Sequence, residues 1–276
     1  MKSVEQNVAQ HYTHGSLERV ILQALTEAGK DIDRLDPPDL AAVDEFHIGG
    51  RQATVDFAEQ LGVRRGMHLL DVGCGLGGAS RYFAHEHGCR VTGIDLTEEY
   101  VRAANALAGR VGLADQVSNQ EGSALSLPLA PGSIDGAYML HVGMNIAEKS
   151  ALFAEVRKVL KPRGIFGIYD VMREKEGELT FPVPWAACTE TSFLDSAVTY
   201  RRQLENTGFQ VLKERSRRDF AIDFFRRMRA QAAQSGPPPL GLHILMGSTA
   251  AQKIANMIDN LESGLIAPTE IVCRAI

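Results

Sequence analysis

The run Asp71-Val72-Gly73-Cys74-Gly75-Leu76-Gly77-Gly78 constrains the fold of this chain more than any other stretch. It follows the apolar segment His68-Leu69-Leu70-Asp71-Val72, so the glycines stand where a strand ends and a helix begins. Glycine lets the backbone turn sharply there and brings its N–H groups, with the N-terminus of the following helix, close to a ligand. Gly73, Gly75 and Gly78 also satisfy the G-x-G-x-x-G spacing of dinucleotide-binding proteins, a weak signal by itself.

The rest of the chain fits that reading. Short apolar runs at Arg90–Asp95, Ile134–Leu140 and Ile165–Tyr169 alternate with helical segments, a rhythm that predicts a parallel sheet covered on both faces. Phe209–Arg215 and Ile271–Ala275 read as two late strands. Leu17, Val20, Ile21, Leu25 and Ala28 recur at helical spacing, which predicts one amphipathic helix over Val4–Ala28 ended by Gly29. A polar connection follows over Lys30–Asp39, then a short helix over Gln52–Leu61. Pro237-Pro238-Pro239 reads as a bend between two helices.

Asp95 closes the second strand about twenty residues after Gly75, where a carboxylate can accept hydrogen bonds from both ribose hydroxyls of an adenosine. It argues for adenosine without choosing the reaction. Asp71, two residues before the first glycine, bears on that choice. At the crevice mouth a carboxylate repels a pyrophosphate but favours a cationic amino group; the plainer reading is that it ties down its own loop.

Composition excludes several functions. With a net charge of −5 and a pI near 5.9, the chain has no general attraction for phosphate backbones, so no nucleic-acid partner is expected. Its start carries Glu5, Gln6, Asn7 and Gln10 in place of a signal peptide's apolar region. No apolar run approaches the roughly 20 residues that span a bilayer, so no membrane partner and a cytoplasmic setting are expected. Cys74, Cys89, Cys188 and Cys273 are scattered, which fits reduced thiols better than a disulfide frame or a zinc site. His85-Glu86-His87 lacks a recognised ligand spacing, so no metal is expected. The basic stretch Lys213, Arg215, Arg217, Arg218, Arg226, Arg227 and Arg229 alternates with Phe220, Phe224, Phe225 and Met228, as on a helix whose charges face solvent.

Taken together, these residues resemble the class I, Rossmann-like methyltransferases that use S-adenosylmethionine. The nearest branch includes the sarcosine/dimethylglycine and phosphoethanolamine N-methyltransferases and the ubiquinone/menaquinone enzymes. Leu70–Gly78 is similar to the family's first motif, Gly93-Ile94-Asp95-Leu96 to its second, and Gln120-Glu121-Gly122-Ser123-Ala124 with Leu127-Pro128 to the loop that packs on the adenine. Ser123 stands where the family usually has an acidic residue. Ile134–His141 resembles the fourth strand and Leu160-Lys161-Pro162-Arg163-Gly164 the turn into the fifth, while Asp44–Arg51 is similar to the segment lying over the cofactor.

The resemblance implies one α/β domain: a seven-stranded, mostly parallel Rossmann-like sheet with helices on both faces. Its parts are a helical cap (1–45), a cofactor-binding core (46–171), a lid insertion (172–207) and late strands with a helical insertion (208–276). It implies transfer of a methyl group from S-adenosylmethionine to a small-molecule acceptor, nitrogen or oxygen favoured, by a monomer or homodimer, with S-adenosylhomocysteine as product. The cofactor contacts it implies are Tyr12, Asp71, Gly73, Cys74, Gly75, Asp95, Leu96, Ser123, Ala124 and His141.

The acceptor pocket is expected from the insertions, because ligands of open α/β sheets bind beyond the carboxyl ends of the strands. Trp185, between prolines after the fifth strand, is a candidate cover, or equally an anchor to the core. Phe193 is expected beside it. His47 and His243 are candidates for removing a proton from the acceptor, since imidazole titrates near neutral pH. A nicotinamide-dependent oxidoreductase and a non-catalytic S-adenosylmethionine-binding protein are the alternative readings.

Overall fold

Residues 3–13, 15–236 and 240–276 are described by a computed structural model, so the Pro237-Pro238-Pro239 bend lies outside the described residues. The chain begins with α1 (Val4–Tyr12), capped by a reciprocal Ser3–Gln6 box, then α2 (Leu17–Glu27), α3 (Pro37–Asp44) and α4 (Gly50–Leu61). The sheet-forming part runs β1 (His68–Val72), α5 (Gly78–His87), β2 (Arg90–Asp95), α6 (Glu98–Arg110), β3 (Val117–Glu121), β4 (Ile134–Leu140), α7 (Lys149–Val159) and β5 (Leu160–Arg173). It is completed by α8 (Ala197–Asn206), β6 (Phe209–Ser216), α9 (Arg218–Ser235), α10 (His243–Met246), α11 (Ala250–Glu262) and β7 (Ile266–Ala275).

The seven strands lie in the order β3-β2-β1-β4-β5-β7-β6. β1 through β5 pair in parallel, and β7 inserts antiparallel between β5 and β6. Strand order reverses between β1 and β4, the place where an open sheet leaves a crevice at its carboxyl edge. Alternation along the central strands divides the core between the two faces. Leu70, Val72, Met139, Phe166 and Ile168 pack with α7 and α8 on one side, while Leu69, Tyr138 and Tyr169 pack with α4 and α5 on the other.

Four features depart from the sequence expectations, each for a visible reason. The first helix is two helices, because Gly15 turns at φ +86° and both Gly15 N–H and Leu17 N–H donate to the Glu99 carboxylate, at 2.7 and 2.8 Å. β3 has only Val117 and Asn119 buried, so no apolar run betrays it. β7 starts at Ile266, earlier than expected, with Pro268 inside it opposite Val171; a proline argues against a strand when read alone. Arg217 is buried, ion-paired with Asp56 at 2.7 Å and Glu270 at 2.8 Å and set over the Phe220 ring. It is therefore not part of the solvated face that Arg226 and Arg227 form on α9.

Candidate active site

The turn after β1 is held in place by β2. Gly73 N–H and Cys74 N–H both donate to Ile94 O, at 2.8 and 3.1 Å. Gly73 has φ +71°, and a Cβ there would meet Val142 at 2.4 Å, so conformation and space both demand glycine. Gly75, at φ +53°, would meet only Tyr100 at 3.8 Å. Its N–H donates to Asp95 Oδ2 at 2.8 Å, while Thr97 N–H donates to Oδ1 at 2.9 Å. The Thr97 hydroxyl is a third donor, which leaves the carboxylate acceptor capacity for about one more bond, and the residue lines a cavity of about 1080 Å³ at the carboxyl edge of the sheet. Burial raises the Asp95 carboxyl above its ordinary range, and the two backbone donors oppose that.

Asp71 is buried, and Ser80 Oγ and Tyr138 Oη both donate to its Oδ2, at 2.7 and 3.1 Å. Oδ1 has no donor among the described residues, although Asp71 lines the cavity. Burial pushes this carboxyl up to about 7, against the pull of the Ser80 and Tyr138 bonds. An ammonium beside Oδ1 would stabilise the ionised form, whereas a pyrophosphate would not. The donor set is one that could hold the methionine end of S-adenosylmethionine at Asp71 and its ribose at Asp95.

The remaining residues expected at the cofactor surround this floor. Cys74, Leu96, Ala124 and His141 line the cavity, as does Tyr12, whose hydroxyl donates to Asn145 Oδ1 at 3.1 Å. Ser123 is not on the wall: its hydroxyl donates to Glu5 of α1 and its Oγ accepts from Leu125 N–H at 3.0 Å. Ser123 therefore ties α1, whose Glu5 lines the cavity, to the loop after β3. His141 follows β4 at φ +57°, an uncommon conformation for a residue with a side chain. Its buried Nε2 has no hydrogen-bond partner among the described residues, and burial holds the imidazole well below its ordinary range, hence neutral.

The residues expected at the acceptor are divided. His47 is buried on the wall, its ring 6.0 Å from that of His141, and burial pushes its imidazole down to about 4. Trp185 also lines the cavity but is 3% exposed, packs in the cluster with Met144, Val183 and Met257, and donates Nε1–H to Ser192 Oγ at 3.0 Å. His243 is an exposed lining residue at the start of α10. Phe193 is not among the lining residues; its backbone N–H donates to Met144 O and its carbonyl accepts from Lys149 Nζ.

Sequence reasoning missed Asn145 and Thr54. Asn145 joins Tyr12 to the Trp185 carbonyl, which accepts from Nδ2 at 2.9 Å, and so links α1 to the insertion. Thr54 sits on α4 between Glu45 and His47. Nothing in their local sequence marks either one, since each acts through partners distant in the chain or around a helix turn. The far wall comes from α9 and α11, where Phe224, Phe225, Met228, Ile254 and Met257 face the cavity.

Residues 70–168 match a family model described as a methyltransferase domain. A sterol 24-C-methyltransferase of Gibberella zeae is 35% identical over 113 residues, 41% of this chain and 30% of that protein. The O-methyltransferase resE of Aspergillus sclerotiorum is 28% identical over 186 residues, 66% of this chain and 69% of its own. The chain spans less than half the length of the sterol methyltransferases it matches. A crystal structure of geranyl diphosphate C-methyltransferase from Streptomyces coelicolor A3(2), with S-adenosyl-L-homocysteine bound, superposes with a TM-score of 0.73 at 16% identity, covering 100% of this chain and 99% of that one. At that identity the likeness is one of fold.

Proposed function

We propose that this chain, whose residues 70–168 match a methyltransferase-domain model and whose sheet is of the Rossmann-like class, transfers the methyl group of S-adenosylmethionine to oxygen or nitrogen of a neutral, largely hydrocarbon small molecule. The observation that carries this reading is the two-part wall of one cavity: a glycine floor with Asp71 and Asp95, continuous with the apolar faces of α9 and α11. S-adenosylmethionine supplies an activated methyl, so the protein's tasks are positioning and exclusion of water.

Charge supports the choice of acceptor. Six carboxylates line the cavity (Glu5, Asp44, Glu45, Asp71, Asp95 and Glu148) against the two guanidinium groups of Arg51 and Arg229. Arg51 is engaged by Glu45 at 2.9 Å and lies over the Tyr82 ring. Such a wall suits a sulfonium and disfavours a phosphorylated acceptor. Trp185, with Asn145 behind it, closes the side of the pocket against water. We place the reaction in the cytoplasm, in a monomer or homodimer, a setting supported by the free thiols of all four cysteines.

Mass spectrometry with the trideuteromethyl form of S-adenosylmethionine tests the reading. The enzyme is incubated with hydroxylated terpenoids and sterols, apolar phenols and apolar amines, and separately with phosphorylated and zwitterionic amines. Label is expected in the first group. Label confined to the second would overturn the acceptor assignment.

A further inference from the structure

Glu45, Thr54 and His47 form a buried hydrogen-bonded chain beside the cavity, which Glu45 and His47 both border. Thr54 Oγ1 donates to Glu45 Oε2 at 2.6 Å, and His47 Nε2 lies 3.0 Å from Thr54 Oγ1 and 3.2 Å from Gly50 O. A carbonyl oxygen can only accept, and the threonine hydrogen is committed to Glu45. Both contacts of Nε2 therefore require that it carry the imidazole proton. The lone pair is left on Nδ1, which no group among the described residues engages, on a residue that lines the cavity. Glu45 and Thr54 are buried at 1% and 0% exposure, so the chain is shielded from bulk solvent.

We propose that His47 is the general base for an acceptor hydroxyl, and that Thr54 and Glu45 are positioning residues that carry the proton inward from it. The proposal rests on the methyl-transfer reading above. Methylation of a hydroxyl forms a carbon–oxygen bond, breaks the methyl–sulfur bond, leaves that bond's electron pair on sulfur, and frees one proton. His47 Nδ1 takes that proton, Nε2 passes its own to Thr54 Oγ1, and the Thr54 hydrogen passes to Glu45 Oε2. Glu45 ends as a neutral carboxylic acid and His47 as the Nδ1–H tautomer; the relay resets when product leaves and the cavity opens.

The electrostatics favour this route. A sulfonium and a carboxylate are both discharged, and the Arg51 guanidinium that Glu45 engages keeps the Tyr82 ring and partial contact with solvent as its support. Burial holds the Glu45 carboxyl above its ordinary range, while Arg51 and, less strongly, Arg81 act against that. His47, faced by Gly50, Asp44 and Arg51 and by the rings of His141 and Tyr169, stays neutral at working pH, so it serves as a conduit and does not rest as an imidazolium.

Nitrogen-15 NMR of the histidines in the full chain with S-adenosylhomocysteine reads the resting tautomer without any acceptor. The His47 signal, identified by its loss in His47→Asn, is expected as neutral Nε2–H at neutral pH; an Nδ1–H tautomer would overturn the proposal. With an apolar alcohol or phenol that takes label, Thr54→Val should lower kcat about 10²-fold or more. S-adenosylhomocysteine affinity should stay within about twofold, and Thr54→Ser should restore turnover. Glu45→Gln should keep the tautomer and lose turnover, and both variants should lose the wild-type plateau of kcat with pH. Normal kcat in both variants would overturn the relay. Failure of every acceptor to take label, with the tautomer as expected, would instead count against the methyl-transfer reading.

Discussion

Asp95 and Asp71 are neighbours on adjacent strands whose environments give them different tasks. Asp95 accepts from Gly75 and Thr97 backbone N–H groups and stays open to the cavity, so it serves ligand and turn together. Asp95→Ala should weaken S-adenosylhomocysteine binding by about 1.5–3 kcal/mol for each charge-assisted bond lost, and Asp95→Asn by less; equal affinity in a folded Ala variant would remove Asp95 from the ribose. Asp71, held up near 7, must ionise to meet an ammonium. Cofactor affinity should then rise with pH up to about 7 and level off above it, with protons released on binding below that point. Titrations in buffers of different ionisation enthalpy measure that release, and a pH-independent affinity would contradict the assignment. Asp95 was legible in the sequence because its spacing from the glycines is fixed by the strand–turn–helix unit. The Ser80 and Tyr138 partners of Asp71 were not, since one comes from the next helix and the other from β4.

Among the elements, α1 is the one whose attachment bears most on the cavity. It lies over the crevice through Glu5–Ser123, Tyr12–Asn145 and His11–Pro184, and its link to α2 is pinned where Gly15 and Leu17 N–H groups meet Glu99. Glu99→Ala leaves two backbone donors without that acceptor, a loss of about 1–3 kcal/mol. It should speed S-adenosylhomocysteine dissociation several-fold while the sheet stays folded; stopped-flow displacement checks this, and an unchanged off-rate would mean that α1 does not retain the ligand. Periodicity alone ran α1 and α2 together, because the break is made by a glycine and a distant carboxylate with no change in hydrophobic rhythm. The same limit hid β3, which is an edge strand, and Arg217, whose partners Asp56 and Glu270 come from α4 and β7. The central strands, buried on both faces, were readable as apolar runs.

At the scale of the whole molecule, the fold places an acidic, glycine-lined crevice against an apolar chamber, and stability carries the imprint of both. A carboxyl raised in the folded state, as Asp71 is to about 7, binds more protons folded than unfolded, so its contribution falls as pH rises from about 4 to 7. A buried imidazole lowered to about 4, as in His47, acts oppositely: its contribution rises with pH until about 6.5. Asp71→Asn should therefore leave a Tm that climbs more steeply with pH between about 4 and 7 than the wild type's; parallel curves would contradict the raised carboxyl. The seven-stranded, mostly parallel sheet and its glycine-lined crevice were within reach of sequence because local rules set them. The apolar chamber beside it was reached only at His47, Trp185 and His243, because α9, α10 and α11 bring its other lining residues from far along the chain. The central claim, that this crevice is built for a methyl donor, is tested most directly by calorimetric titration of S-adenosylhomocysteine and, separately, of NAD into the full chain. The account predicts one S-adenosylhomocysteine per chain, binding weakened in Asp95→Ala, and no heat from NAD. Tighter binding of NAD, or no binding of S-adenosylhomocysteine to the folded protein, would contradict it.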